Sequence, residues 1–121
     1  MARPNVVTVA RATIAYTDTT SVSLGFLPPN ATVIGARVLV TTAFNGSTTD
    51  VIDIGVNGTA NNIADDVDVS STGSASVTLG AAAGATQSTT DPTEITAIYV
   101  DGASDSSAGS AEVIVEYTFK E

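Results

Sequence analysis

The sequence contains no cysteine and no histidine. Without thiols there is no disulfide framework, no thiolate nucleophile and no zinc–thiolate centre. Without imidazole the chain lacks the usual general base and the commonest metal ligand. Tryptophan is absent as well, and Phe and Tyr together make up only 5% of the residues. The core must therefore be Val, Ile, Leu and Ala, which bury less area per residue than aromatics. A core of small side chains gains from association, which argues for an oligomer. Basic residues are scarce too: four Lys and Arg stand against 13 Asp and Glu, a formal net charge of −9. That balance repels nucleic-acid phosphates and disfavours anionic membranes. No apolar run is long enough to span a bilayer as a helix, and no apolar stretch follows the charge in residues 1–5, so neither a membrane anchor nor a signal peptide is expected.

The 121 residues suit one domain. Charge is unevenly placed along it. Arg3, Arg11 and Arg37 lie in the first third beside Asp18, whereas eleven acids and no base lie between Arg37 and Lys120. The acidic part reads as a solvated surface, and the basic third as a side that faces an acidic partner.

Period-two alternation runs through most of the chain. The central stretch is 31–56, two β-patterned runs around a polar break at Asn45-Gly46-Ser47-Thr48-Thr49. Asn-Gly is a strong turn signal, so the spacing predicts a hairpin with a loop of about five residues. Ile34, Ala36, Val38 and Val40 would share one face of its first strand; Ile52, Ile54 and Val56 would share one face of its second. Phe44 falls at the tip. Before this stretch, residues 1–5 read as an extended arm, because Pro4 biases itself and Arg3 away from helix. Residues 6–16 alternate Val7, Val9, Arg11 and Thr13 against Ala10, Ala12, Ile14 and Tyr16. Val22, Leu24 and Phe26 then mark a half-buried strand.

After the central stretch, residues 63–69 read as an irregular connection and 74–79 as a short strand. Residues 80–91 form a small-residue loop. Residues 93–100 form a strand with either Ile95, Ala97 and Tyr99 or Ile98 and Val100 inward. The last strand sets Ala111, Val113, Val115, Tyr117 and Phe119 against Glu112, Glu116 and Lys120. Seven to eight short antiparallel strands separated by turns predict an all-β single domain over 6–121, a β-sandwich of jelly-roll-like form.

Few constellations carry chemistry. The oxygen-rich groups Asp65, Asp66, Asp68 and Asp101, Asp105 match calcium's ligand preference loosely and lack the spacing of an EF-hand loop, so solvated turns are the plainer reading and no cofactor is expected. Asp53, set in an apolar strand, is the acid with the greatest scope for perturbation. No second acid, sugar-stacking aromatic or Gly-rich cradle accompanies it, which excludes a glycosidase reading. The Asn-x-Ser/Thr patterns at Asn30, Asn45 and Asn57 are explained by turn chemistry. Arg11 and Arg37, the charges inside strands of the first third, either form surface salt bridges or grip a carboxylate on a partner.

Several phrases resemble small virion structural proteins of tailed bacteriophages: Arg11-Ala12-Thr13-Ile14-Ala15-Tyr16, Leu27-Pro28 leading to Ala31-Thr32-Val33-Ile34, and Val40-Thr41-Thr42-Ala43-Phe44-Asn45-Gly46. Val51-Ile52-Asp53-Ile54-Gly55, Ala64-Asp65-Asp66-Val67-Asp68 and the ending Gly109-Ser110-Ala111-Glu112-Val113-Ile114-Val115-Glu116-Tyr117 extend the likeness. Among such proteins, head decoration (cement) proteins imply a β-rich fold, no catalytic residues and a place on the outer capsid surface after synthesis in the host cytoplasm. They also imply a homotrimer bound to the major capsid protein. On that reading Arg3 and Pro4 in the arm, with Arg11 and Arg37, contact the shell or a neighbouring subunit, and apolar strand faces left over from the core join the subunits. The alternative is a head-fibre or tail-associated module that binds a host receptor or glycan, for which Phe44 and the acidic loops are the candidate contacts.

Overall fold

The computed structural model describes residues 7–119. Eight strands follow one another: β1 (Thr8–Ala15), β2 (Val22–Leu27), β3 (Ala31–Thr42), β4 (Asp50–Val56), β5 (Ala64–Asp68), β6 (Gly73–Ser74), β7 (Thr93–Asp101) and β8 (Ser110–Phe119). They form two four-stranded sheets in the orders β1-β8-β3-β6 and β2-β7-β4-β5, with every pairing antiparallel.

The pairs β1–β8, β2–β7, β3–β6 and β4–β5 make one long two-stranded ribbon, closed by the connection between β4 and β5. Rolling that ribbon sets β8 beside β3 and β7 beside β4. The result is a jelly roll, the sandwich form anticipated from strand spacing. The strand faces turned toward each other are apolar: Ile14, Val33, Val38, Val113 and Val115 on the first sheet, and Leu24, Leu27, Ile52, Ile54, Ile95 and Ala97 on the second. Of the two settings open for β7, Ile95, Ala97 and Tyr99 point inward.

This topology corrects the central hairpin. β3 and β4 lie in different sheets and do not pair; the polar segment between them crosses the end of the sandwich. Period two counted along one strand cannot distinguish a hairpin from a crossover, because both reverse the chain. Residues 64–68, read as irregular, are strand β5, and 74–79 shortens to a two-residue β6 plus an isolated bridge from Leu79 to Ala64.

Bulges explain the misassigned faces. The register of β3 against β8 slips between Val33 and Gly35. Ala31 and Val33 point inward before the slip and Val38 and Val40 after it, while Ile34 is 46% exposed. An extra residue in one strand reverses the side on which every later side chain emerges. A slip between Ser23 and Gly25 does the same in β2, burying Leu27 and leaving Phe26 62% exposed. Phe44 goes the other way. It is 1% exposed, its ring 4.5 Å from that of Tyr99 at an angle of 47°. It closes the end of the core instead of projecting from a tip.

Truncating these two phenylalanines separates the roles. Phe44→Ala is expected to cost about 3–5 kcal/mol of folding stability, the usual range for a core phenylalanine. Phe26→Ala should stay within about 0.5 kcal/mol of the parent protein. Urea unfolding midpoints measure both, and equal losses would contradict the assignment.

Candidate functional site

Three surfaces gather the polar groups: the outer face of the first sheet, the outer face of the second, and the loop end beside Phe44.

On the first sheet, outward positions of β1, β8 and β3 lie in register. Arg11 and Arg37 both stand opposite Ile114, on its two sides. Arg11 forms an ion pair with Glu112, and Arg37 donates from Nε to Glu116 Oε1 at 3.0 Å. Both guanidinium side chains remain well exposed, at 61% and 71%, so each pair contributes about 0–1 kcal/mol. Around them lie exposed Val9, Ile34 and Leu39. The structure therefore brings together Arg11 and Arg37, which are 26 positions apart in sequence. Arg3 and Pro4, with the rest of the arm, lie outside the described residues.

The second sheet's outer face is acidic. Asp53 on β4 meets Asp65 and Asp66 on β5, their carboxylate oxygens within 4.8 Å of one another. The Asp66 N–H donates to Asp53 Oδ1 at 2.8 Å, and Asp66 itself takes φ 55°, a left-handed conformation that Asp tolerates. Partial burial raises the Asp53 pKa above its ordinary value; the Asp66 N–H opposes the shift, and the charges of Asp65 and Asp66 add to it. Asp68, grouped with Asp65 and Asp66 by sequence, is not in this trio. Its Oδ1 accepts from Ser70 Oγ at 2.6 Å and Ser70 N at 2.9 Å, which lowers its pKa. The trio depends on the β4–β5 pairing, so sequence proximity alone could not place Asp53 in it.

At the loop end, Asn45 acts as a clasp. Its Oδ1 accepts from Ser107 N at 2.8 Å and Ala108 N at 3.0 Å, and its Nδ2 donates to Ser107 Oγ at 2.9 Å. Ser47 N donates to Asp105 Oδ1 at 2.9 Å, holding the Asp105 carboxyl below its ordinary pKa. Gly46 is needed for close approach: a Cβ there would lie 2.6 Å from Oδ1 of both Asp50 and Asp101. Asp101 Oδ2 accepts from Ser106 N at 2.8 Å, while its Oδ1 is buried without a hydrogen-bond partner among the described residues. Asp101 and Asp105, grouped as one oxygen-rich loop in the sequence, thus serve different backbone donors. The Tyr99 hydroxyl donates to Asp50 Oδ1 at 2.5 Å. Burial first, and then this bond to a carboxylate, push the Tyr99 pKa up to about 12. A shallow cleft of about 360 Å³ opens alongside, lined by Tyr16, Asp18, Tyr99, Asp101 and Ser106 among others. The hydroxyls of Ser70 and Tyr99 each bond a carboxylate directly, and the sequence has no His or Cys to join either pair.

No protein-family model matches this chain, and no curated protein matches it. Among solved structures, a chain described as "Cyanophage Pam1 capsid asymmetric unit" has a similar fold. The TM-score is 0.71 at 22% sequence identity, and the match covers 99% of this chain and 93% of that one.

Two pH effects follow from these groups. The raised Tyr99 pKa means the fold favours the neutral phenol, so its contribution is intact below pH 10 and is lost as pH rises through about 12. In an alkaline absorbance titration, the difference between the parent protein and Tyr99→Phe should show one phenol ionising near the upper value; ionisation at the ordinary value would contradict the buried bond. For Asp53 the raised pKa likewise favours the protonated form. Stability should therefore fall as pH rises from the ordinary carboxylate value through the raised one. Asp53→Asn should remove that fall and unfold at higher urea than the parent at neutral pH.

Proposed function

We propose that this chain is a non-enzymatic structural protein of a tailed-phage virion, a decoration (cement) protein that binds the outer surface of the head and stabilises the shell by bridging capsid subunits. The observation that carries this reading is a fold likeness to a chain of a phage capsid over nearly the whole length of both. It stands beside the independent resemblance of the sequence phrases to small virion proteins. The composition favours the same reading, since the chain carries neither His, the usual general base, nor Cys, the thiol nucleophile.

In this role the partner is the major capsid protein, and the protein acts as a homotrimer. Three linked attachment points raise avidity without new contacts, because the second and third engage at a high effective concentration. Contacts spread over several shell subunits then resist outward pressure together. Residues 1–5, with Arg3 and Pro4, supply the attachment to the shell. For the fibre or receptor-binding alternative, Phe44 is lost as a contact because it lies in the core, and the aromatics exposed among the described residues are Phe26 and Tyr16.

Deleting residues 1–5 tests the attachment. The shortened protein should keep its thermal unfolding transition and lose about tenfold in apparent affinity for undecorated heads, equivalent to about 1.4 kcal/mol. Co-sedimentation measures this, and undiminished binding by the shortened protein would remove the arm from the contact.

A further inference from the structure

We infer that the outer face of the β1-β8-β3 sheet is the surface by which one copy of this chain joins the next. The inference rests on the homotrimer reading and gives that oligomer its interface. Three observations lead to it.

The first is charge. Among residues 7–119 the bases are Arg11 and Arg37, and both lie on this face, each paired with a glutamate of β8. The face is neutral. The opposite face presents Glu94, Asp53, Asp65, Asp66 and Asp68 with no base among the described residues, and the loop end adds Asp50, Asp101 and Asp105. Two copies meeting like surface to like surface through either of these would set carboxylates against carboxylates, which is costly in a desolvated contact. The first-sheet face is the described surface on which that repulsion cancels, and its alternating signs can exchange partners with a second copy of itself.

The second is apolar exposure. Val9, Ile34 and Leu39 stand out of this face beside Ile114. Ile34 is there because the β3 bulge turns it outward. Exposed aliphatic side chains ringed by paired charges have the composition of an interface rather than of a solvated face.

The third is the edge. β1 ends the first sheet, eight residues long, without proline or bulge in its register with β8. The other edges are guarded: β2 by a bulge, β5 by three aspartates and β6 by its length of two residues. An unguarded edge is a point where another chain can add. The face also has two unlike halves, Val9 with Arg11–Glu112 on the β1 side and Ile34, Leu39 with Arg37–Glu116 on the β3 side. Unlike patches that meet head to tail give a ring when the rotation from copy to copy closes, and these halves are such a pair.

The test is solution mass by light scattering across a dilution series, on the full chain and three variants. The parent protein should be an oligomer. The double variant Arg37→Glu with Leu39→Glu should dissociate, its midpoint concentration rising at least about tenfold, a shift of about 1.4 kcal/mol, with an unchanged circular dichroism spectrum. Arg11→Glu, on the other half and with no core contact to lose, should dissociate as well, which keeps the test decisive if the double variant fails to fold. Phe26→Glu, on the second sheet, should leave the mass unaltered. Folded Arg11→Glu or double variants that keep the parent mass would overturn this interface while the trimer reading stands. Dissociation by Phe26→Glu would also overturn it, by placing the contact on the acidic side. A monomeric parent would overturn both readings together.

Discussion

The structure depends on β8 being paired on both sides. Its register against β1 runs from Thr8↔Tyr117 to Ala15↔Ser110, and against β3 from Ala31↔Phe119 to Thr42↔Ser110. β8 is thus an inner strand of the first sheet, and β1 and the long β3 have no ladder to each other without it. Ala111, Val113, Val115 and Tyr117 meanwhile fill the middle of the core. Such a fold is built almost wholly from non-local pairings, whose loop-closure entropy must be met before they stabilise anything, so slow folding is the expected regime.

The same pairing that fills the core arranges the charges. Because strand side chains alternate, every inward valine of β8 has an outward neighbour, and Glu112, Ile114 and Glu116 are those neighbours. The antiparallel registers then bring Arg11 and Arg37 to either side of Ile114. On the second sheet the same alternation puts Asp53 opposite the acid-rich β5. One side of the sandwich is therefore neutral and partly apolar and the other strongly negative. That asymmetry suits a molecule whose neutral face is covered by a neighbouring copy while its acidic side stays in water.

The loop end shows how one dipeptide serves two physical needs. At Asn57-Gly58 both residues have positive φ, 58° and 77°, and the Thr59 N–H donates to the Val56 carbonyl, as the turn chemistry of Asn-Gly leads one to expect. At Asn45-Gly46 neither residue has positive φ. There the asparagine side chain clasps the 106–108 backbone, and the glycine makes room for two carboxylates. The second role draws on Asp101 and on 106–108, more than 50 positions away in sequence, which is why the local signal misdirects.

By itself the sequence determined the class of fold and much of what lines its core. Period-two alternation in β4 and β8 identifies Ile52, Ile54, Ala111, Val113 and Val115 as inward, because burial of one strand face imposes that pattern whatever the strand order. It also determined what chemistry is missing, since absent side chains need no structure to be ruled out. Tertiary structure alone decided which strands pair, that 31–56 crosses between sheets, and that bulges turn Ile34 and Phe26 outward while Phe44 goes in. It alone gathered Arg11 with Arg37 and Asp53 with Asp65 and Asp66. Each of these is a contact between distant segments, set by inter-strand register, and register is a property of two strands together that neither carries in its own sequence.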